Sequence, residues 1–186
     1  MTDTAGSAEQ RCRIIITAGK GGGKTTAIRR VIDCLHRASV PYTGFFAEGA
    51  WDGDVRSSFT LHCVPEDISV PLCDRTTGEW VQHGRFRYNP EALQKGDQAV
   101  RRAVPGTCII MDEISRQELR GNVWADTLTR AVRLRGNPLV LAVQRRCLED
   151  VISAWGLEGA VVFDLEMISA DRLPDYITGL IENGCL

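Results

Sequence analysis

The sequence of 186 residues is poor in lysine, in paired cysteine motifs, in long apolar runs and in net charge. The formal charge of −2 at pH 7 leaves no global positive field, which argues against nucleic acid or anionic lipid as a partner. Arg29-Arg30, Arg101-Arg102, Arg130 with Arg133 and Arg135, and Arg145-Arg146 read as solvated helix faces. The seven cysteines are odd in number and contain no C-x-x-C pair, which argues against a disulfide framework and a zinc site and reads as reduced thiols in a cytoplasmic protein. Apolar stretches such as Cys108 to Met111 and Leu139 to Val143 are strand-sized, far short of the ~20 residues of a membrane span. Met1 to Gln10 is polar and reads as a loose tail, not as a signal peptide. Of the 22 basic residues only Lys20, Lys24 and Lys95 are lysine, and two of these stand four residues apart.

What is present is the balance of a globular chain. With 44% apolar and 25% charged residues, and a length typical of one unit, residues 1–186 are expected to form a single domain with a substantial core. Arg13 to Ala18 is a short β-branched run of the kind buried on both faces of a parallel sheet. From Thr25 to about Ala38, Ala27, Ile28, Val31, Ile32 and Leu35 recur at helical spacing. A strand is expected over Tyr42 to Ala47. The region 48–88 is broken by Gly49, Gly53, Pro65, Pro71, Gly78 and Gly84, and predicts hairpins, among them Arg56 to Cys63 and Ile68 to Cys73, lying beside the main sheet. Asn89-Pro90-Glu91 opens a helix to about Val104, with Asn as its cap. A strand at Thr107 to Met111, a helix at Val123 to Leu134, a strand at Leu139 to Val143, a helix at Leu148 to Trp155 and a strand at Ala160 to Leu165 complete an α/β alternation. That order predicts a three-layer α/β/α fold with a mainly parallel sheet.

Ala18-Gly19-Lys20-Gly21-Gly22-Gly23-Lys24-Thr25-Thr26 has the spacing of a phosphate-binding loop, and it sits where one belongs, between a buried strand and an amphipathic helix. Glycines there let backbone N–H groups turn inward around a triphosphate, and the helix start adds its positive dipole end. Lys24 is placed to reach the β- and γ-phosphates, Thr25 to bind Mg²⁺, and Thr26 to touch the α-phosphate. Lys20 is either a further phosphate contact or solvent-facing. Cys108 to Met111 then leads into Asp112 and Glu113, two acids at the carboxyl end of a buried strand. Asp112 suits Mg²⁺, and Glu113 suits the orientation or deprotonation of a water attacking the γ-phosphate. Glu48 ends the second predicted strand, where it could order that water or pair with Arg56. Arg56, Arg85, Arg87 and Arg116 are the candidates for an arginine finger, and Trp51 for a base-stacking platform.

With these segments in order, the chain resembles the thermophilic and cancer-related nucleoside-triphosphatases, P-loop proteins with a RecA-like core. Gly44-Phe45-Phe46-Ala47-Glu48 is similar to the family's Gly-Phe-Tyr-Thr-Glu, and Gly84-Arg85-Phe86 to its Gly-Lys/Arg-Tyr. Asp112-Glu113-Ile114 with Glu118-Leu119 matches its Asp-Glu-Ile-Gly-x-Met-Glu-Leu signature. Ala18 stands where the family usually has Gly, Gly19-Lys20 replaces Pro-Pro, and Ala142-Val143-Gln144 replaces Thr-x-His. The resemblance implies a Mg²⁺-dependent hydrolase of ATP, GTP or other nucleoside triphosphates, slow and of broad base preference. A P-loop small-molecule kinase, a corrinoid adenosyltransferase and a nucleotide-binding switch working with a protein partner are the alternatives. An adenosyltransferase would release triphosphate intact, and a kinase would need an acceptor.

Overall fold

The computed structural model describes residues 12–76, 79–168 and 171–184; the tail expected at Met1 to Gln10 lies outside them. The chain begins with β1 (Arg13–Ala18), α1 (Lys24–Arg37), β2 (Tyr42–Asp52), β3 (Val55–Val64) and β4 (Ile68–Asp74). Two short strands follow, β5 (Val81–His83) and β6 (Phe86–Tyr88), then α2 (Pro90–Arg101), β7 (Cys108–Ile114), α3 (Arg116–Leu119) and α4 (Ala125–Arg133). The last elements are β8 (Leu139–Gln144), α5 (Leu148–Trp155), β9 (Val161–Asp164) and α6 (Leu173–Glu182).

The nine strands of the described residues share one sheet, in the order β5-β6-β4-β3-β2-β7-β8-β1-β9. Neighbours from β2 to β9 run parallel, with Ile15 opposite Leu141 and Ile109 opposite Leu139. Neighbours from β5 to β2 run antiparallel. The hairpins expected over 48–88 therefore do not lie beside the main sheet but extend it, edge to edge. Their physical link is β2, which continues four residues beyond Glu48 to Asp52 and so serves both halves.

Alternation along the central strands supplies two cores. Ile14 and Ile16 pack with Ile28, Val31 and Leu35 of α1 and with Leu173 and Ile177 of α6. On the other face Ile15, Ile109 and Leu141 pack with Ala99 of α2, Leu128 of α4 and Val151 of α5. Helix α2 begins as predicted, with the Asn89 side chain accepting from the Glu91 N–H at 3.0 Å and Pro90 in the first turn. Gly96 in its middle gives up helix propensity, and a Cβ there would come within 2.7 Å of the Trp124 ring.

Five cysteines, Cys34, Cys63, Cys73, Cys108 and Cys147, are free and buried, as small core residues. Cys12 is disulfide-bonded, so the expectation of reduced thiols throughout fails there, because distance along the chain does not fix distance in the fold. Among the described residues no helix is long and apolar enough to cross a membrane.

Gly44 sets the spacing of the central sheet. Its φ is +125°, and a Cβ would lie 2.0 Å from the Ile110 carbonyl oxygen of the neighbouring β7. Gly44→Ala should therefore destabilise the protein severely, by on the order of 4 kcal/mol, read as a lower midpoint in urea unfolding. A shift within error would show that β2 and β7 can separate at no cost.

Candidate nucleotide site

The loop between β1 and α1 is held open by glycine geometry. Gly21 and Gly23 have φ of +75° and +84°, and a Cβ on Gly22 would fall 2.7 Å from that of Ala18. The Gly22 N–H closes a turn on the Gly19 carbonyl at 3.2 Å. Lys24, the first residue of α1, is 6% exposed and directs its ammonium to the carbonyls of Gly19 at 3.2 Å and Ala18 at 3.5 Å. Lys20 and Thr26 are exposed, Lys20 along the rim of the cleft described below.

Thr25 and Asp112 meet, although 87 residues separate them: the Thr25 hydroxyl donates to Asp112 Oδ2 at 2.8 Å. Asp112 is fully buried, with the Glu113 N–H on Oδ1 at 2.7 Å and the Ala47 N–H on Oδ2 at 3.3 Å. Burial raises its pKa, while these bonds and the charge of Lys24 oppose the shift. A hydroxyl beside a buried carboxylate is a hard-oxygen pair suited to Mg²⁺, which keeps several waters and takes its other ligands from phosphates. Among the described residues no group of three or more His, Cys, Asp or Glu could hold a metal.

Glu113 sits on an irregularity of β7, where pairing with β8 shifts between Met111 and Ile114. Its φ is +62°, a left-handed conformation that costs a non-glycine residue roughly 1–3 kcal/mol. The kink turns the side chain toward the loop, next to Gln144 at the end of β8, which hydrogen-bonds it. Burial, and then the charge of Asp112, push the Glu113 carboxyl up to about 7, against the pull of Lys24, Gln144 and Arg56. Such a carboxyl is poised to exchange a proton near neutrality.

A cleft of about 640 Å³ takes in Lys24 and Glu113, while Thr25 and Asp112 stand behind its wall. Its walls include Gly19, Lys24, Arg56, Arg85, Glu113 and Gln144. Of the four finger candidates, Arg56 and Arg85 line it, and Arg87 and Arg116 do not. Arg56 donates to the Gly49 carbonyl at 2.6 Å and lies over the Trp51 ring at 4.4 Å. Trp51 itself is exposed and forms no part of the wall. Glu48 is mid-strand and pairs with Arg29 at 3.1 Å and His62 at 3.5 Å, not with Arg56, because alternation along β2 turns it toward α1. The arginine pairs read as solvated faces have acidic neighbours: Arg30 with Asp171, Arg101 and Arg130 with Asp97, and Arg102 with Glu66. Arg145 differs. It lines the cleft and is held by Asp164 and Glu166, a placement no local pattern signalled.

A family model described as NTPase matches residues 13–178, nearly the whole described chain. The chain belongs to this NTPase family. Among curated relatives, the nucleoside-triphosphatase THEP1 of Metallosphaera sedula is 30% identical over 170 residues, 91% of this chain and 86% of that protein. THEP1 of Methanopyrus kandleri is 25% identical over 167 residues, 88% of this chain and 92% of that protein. The solution structure of a human cancer-related nucleoside triphosphatase superposes with a TM-score of 0.68 at 19% identity, covering 94% of this chain and 97% of that one. The crystal structure of THEP1 from Aquifex aeolicus gives 0.68 at 22% identity, covering 88% and 95%. These two share the fold.

Within the NTPase signature, Glu118 is a buried residue that sequence reading noted without giving it a role. It is 2% exposed and accepts from the Ser115 N–H at 2.7 Å, the Ser115 hydroxyl at 3.1 Å and the Trp124 N–H at 3.3 Å, tying α3 to the cleft wall. Burial pushes its carboxyl up to about 7, although these bonds pull it down. The folded state thus keeps the proton that the unfolded state releases above its ordinary pKa of 4.5. Stability is lost as pH rises from there through about 7, by about 3 kcal/mol from this group. Against Glu118→Gln, which cannot titrate, the wild type should lose stability by about that amount between pH 5 and pH 8 in urea unfolding; parallel pH profiles would refute the assignment.

Proposed function

We propose that this chain is a Mg²⁺-dependent nucleoside-triphosphate hydrolase, releasing diphosphate and phosphate, with residues 1–186 as one domain. The observation that carries the reading is that Lys24 and Glu113 face one cleft beside a glycine loop, with the hydrogen-bonded pair formed by their chain neighbours Thr25 and Asp112 directly behind them.

A triphosphate on the loop would be cradled by the N–H groups of residues from Gly19 to Thr26, with the dipole of α1 beneath them. Lys24 then exchanges its bonds to Ala18 and Gly19 for phosphate oxygens. Thr25 and Asp112 would hold Mg²⁺, whose charge neutralises that building up on the phosphates. Glu113 orients the attacking water and takes its proton, while Gln144 fixes the direction of the carboxylate. Arg56 is positioned by Gly49 and Trp51 to face the terminal phosphate from across the cleft. Glu48, paired with Arg29, would reach the attacking water only after a change of partner. Broad base preference and a cytoplasmic location complete the reading.

The test is phosphate release from ATP, GTP, CTP and UTP with Mg²⁺, with the products identified. Release from all four within about tenfold of one another is expected, falling to background when EDTA removes the metal. Turnover undiminished by EDTA, or release of intact triphosphate, would overturn the reading.

A further inference from the structure

The cleft is larger than a triphosphate needs, and its extra space is of a different character. Beyond Glu113 its wall passes to the antiparallel half of the sheet: Phe59 of β3, Leu72 and Cys73 of β4, Phe86 and Tyr88 of β6, with Trp124 below. The Phe59 and Phe86 rings meet edge to face, 5.5 Å between centroids. Polar side chains rim this apolar chamber: Arg85, 5.7 Å from the Phe86 ring centroid, and His83 on the same hairpin. The whole cleft, at about 640 Å³, has the size of sites that enclose a small molecule, ~300–1,000 Å³.

Direction matters here. Lys24, Thr25 and Asp112 mark the β- and γ-phosphate end of a bound nucleotide, and Thr26 the α-phosphate end. In sheet order Asp112 and Glu113 on β7 lie between the loop after β1 and the aromatic strands β3, β4 and β6. The chamber is therefore on the far side of the terminal phosphate, where a second reactant would stand, and the base leaves from the opposite end.

We infer that the chamber is an acceptor subsite, and that the protein transfers the γ-phosphoryl group to a small planar-ringed molecule bearing a negative charge and a hydroxyl. Rings of Phe59, Phe86 and Tyr88 offer stacking faces, and the Arg85 guanidinium meets the charge. The acceptor hydroxyl oxygen forms a bond to the γ-phosphorus, and the bond from that phosphorus to the β–γ bridging oxygen breaks. The electron pair leaves with the nucleoside diphosphate, and the hydroxyl proton passes to the Glu113 carboxylate and on to water. Hydrolysis is then the same reaction with water in the acceptor's place. This inference rests on the proposed seating of the triphosphate.

The experiment supplies γ-labelled ATP with Mg²⁺ and a panel of nucleosides, nucleoside 5′-monophosphates and hydroxymethyl pyrimidines and pyridines, and follows label in both free phosphate and acceptor. Transfer to at least one anionic member is expected, outpacing release to water. Phe86→Ala, and Arg85→Gln at an exposed position that folding does not need, should each lower the ratio of transferred to released phosphate at least tenfold. No labelled acceptor with normal phosphate release overturns the acceptor site alone and leaves the hydrolase reading standing. A raised KM for ATP in Phe86→Ala, with the ratio unchanged, identifies the chamber as the base pocket and also overturns the inference. Loss of both signals in the wild type would instead strike the seating of the triphosphate.

Discussion

Lys24→Ala should abolish nucleotide binding. Lys24 is 6% exposed and lies at the first turn of α1, with backbone carbonyls as the hydrogen-bond partners of its ammonium. Carbonyl dipoles are weak partners for a full charge, so a polyphosphate should displace them readily. Bonds between charged groups contribute roughly 1.5–3 kcal/mol each, and contact with two phosphates makes the loss about 100- to 10,000-fold in affinity. Alanine keeps the helix, and so the effect should appear in calorimetric titration with ATP and Mg²⁺ while the unfolding midpoint barely moves. Lys24→Arg should fail too, because a forked guanidinium does not fit where a compact ammonium does. Binding of ATP to Lys24→Ala within tenfold of the wild type would remove the loop from the site.

Glu113→Gln should separate binding from turnover. The amide is isosteric and can keep a hydrogen bond to Gln144, but it cannot take a proton from water. Loss of a positioned base typically costs about 100- to 10,000-fold in rate. Phosphate release should therefore collapse by at least about 100-fold while ATP affinity holds or rises, since a carboxylate facing the terminal phosphate is gone. Glu113→Gly is a useful companion, because it relieves the left-handed strain at φ +62°. It should raise stability or leave it unchanged while being as inactive as the glutamine variant. If Glu113→Gln hydrolysed ATP at the wild-type rate, another group would be the base.

The proposed metal and phosphate half of the site rests on chemistry that is written locally. Loop spacing identifies Lys24 and Thr25, and an apolar run ending in acids identifies Asp112 and Glu113. The kink at Glu113 was not legible, since Asp-Glu-Ile contains no glycine to signal a positive φ; pairing in the sheet imposes it. Gln144 appeared only as a departure from Thr-x-His, and its bond to Glu113 exists because β7 and β8 are neighbours. The aromatic chamber is more scattered still, gathered from three strands and the residue before α4, so no window of sequence contains it. Helix α6 had a signal that no expectation used: Pro174 in its first turn and Leu173, Ile177 and Ile181 on one face. Strand ends were the other difference, with β2 running past the predicted Ala47 to Asp52 because β3 is there to pair with it.

Sheet order also dictates when in the life of the chain the site can exist. The antiparallel strands β2, β3 and β4 find one another across turns of a few residues, whereas Thr17 of β1 meets Val143 of β8 across 126 residues. Closing so long a loop is entropically the slower step. The phosphate loop emerges from the ribosome early, but its strand has no neighbour on either side until β8 and β9 have been made. A nascent chain ending before Leu139 thus carries the complete loop sequence and the complete acidic pair with nothing to set the distance between them.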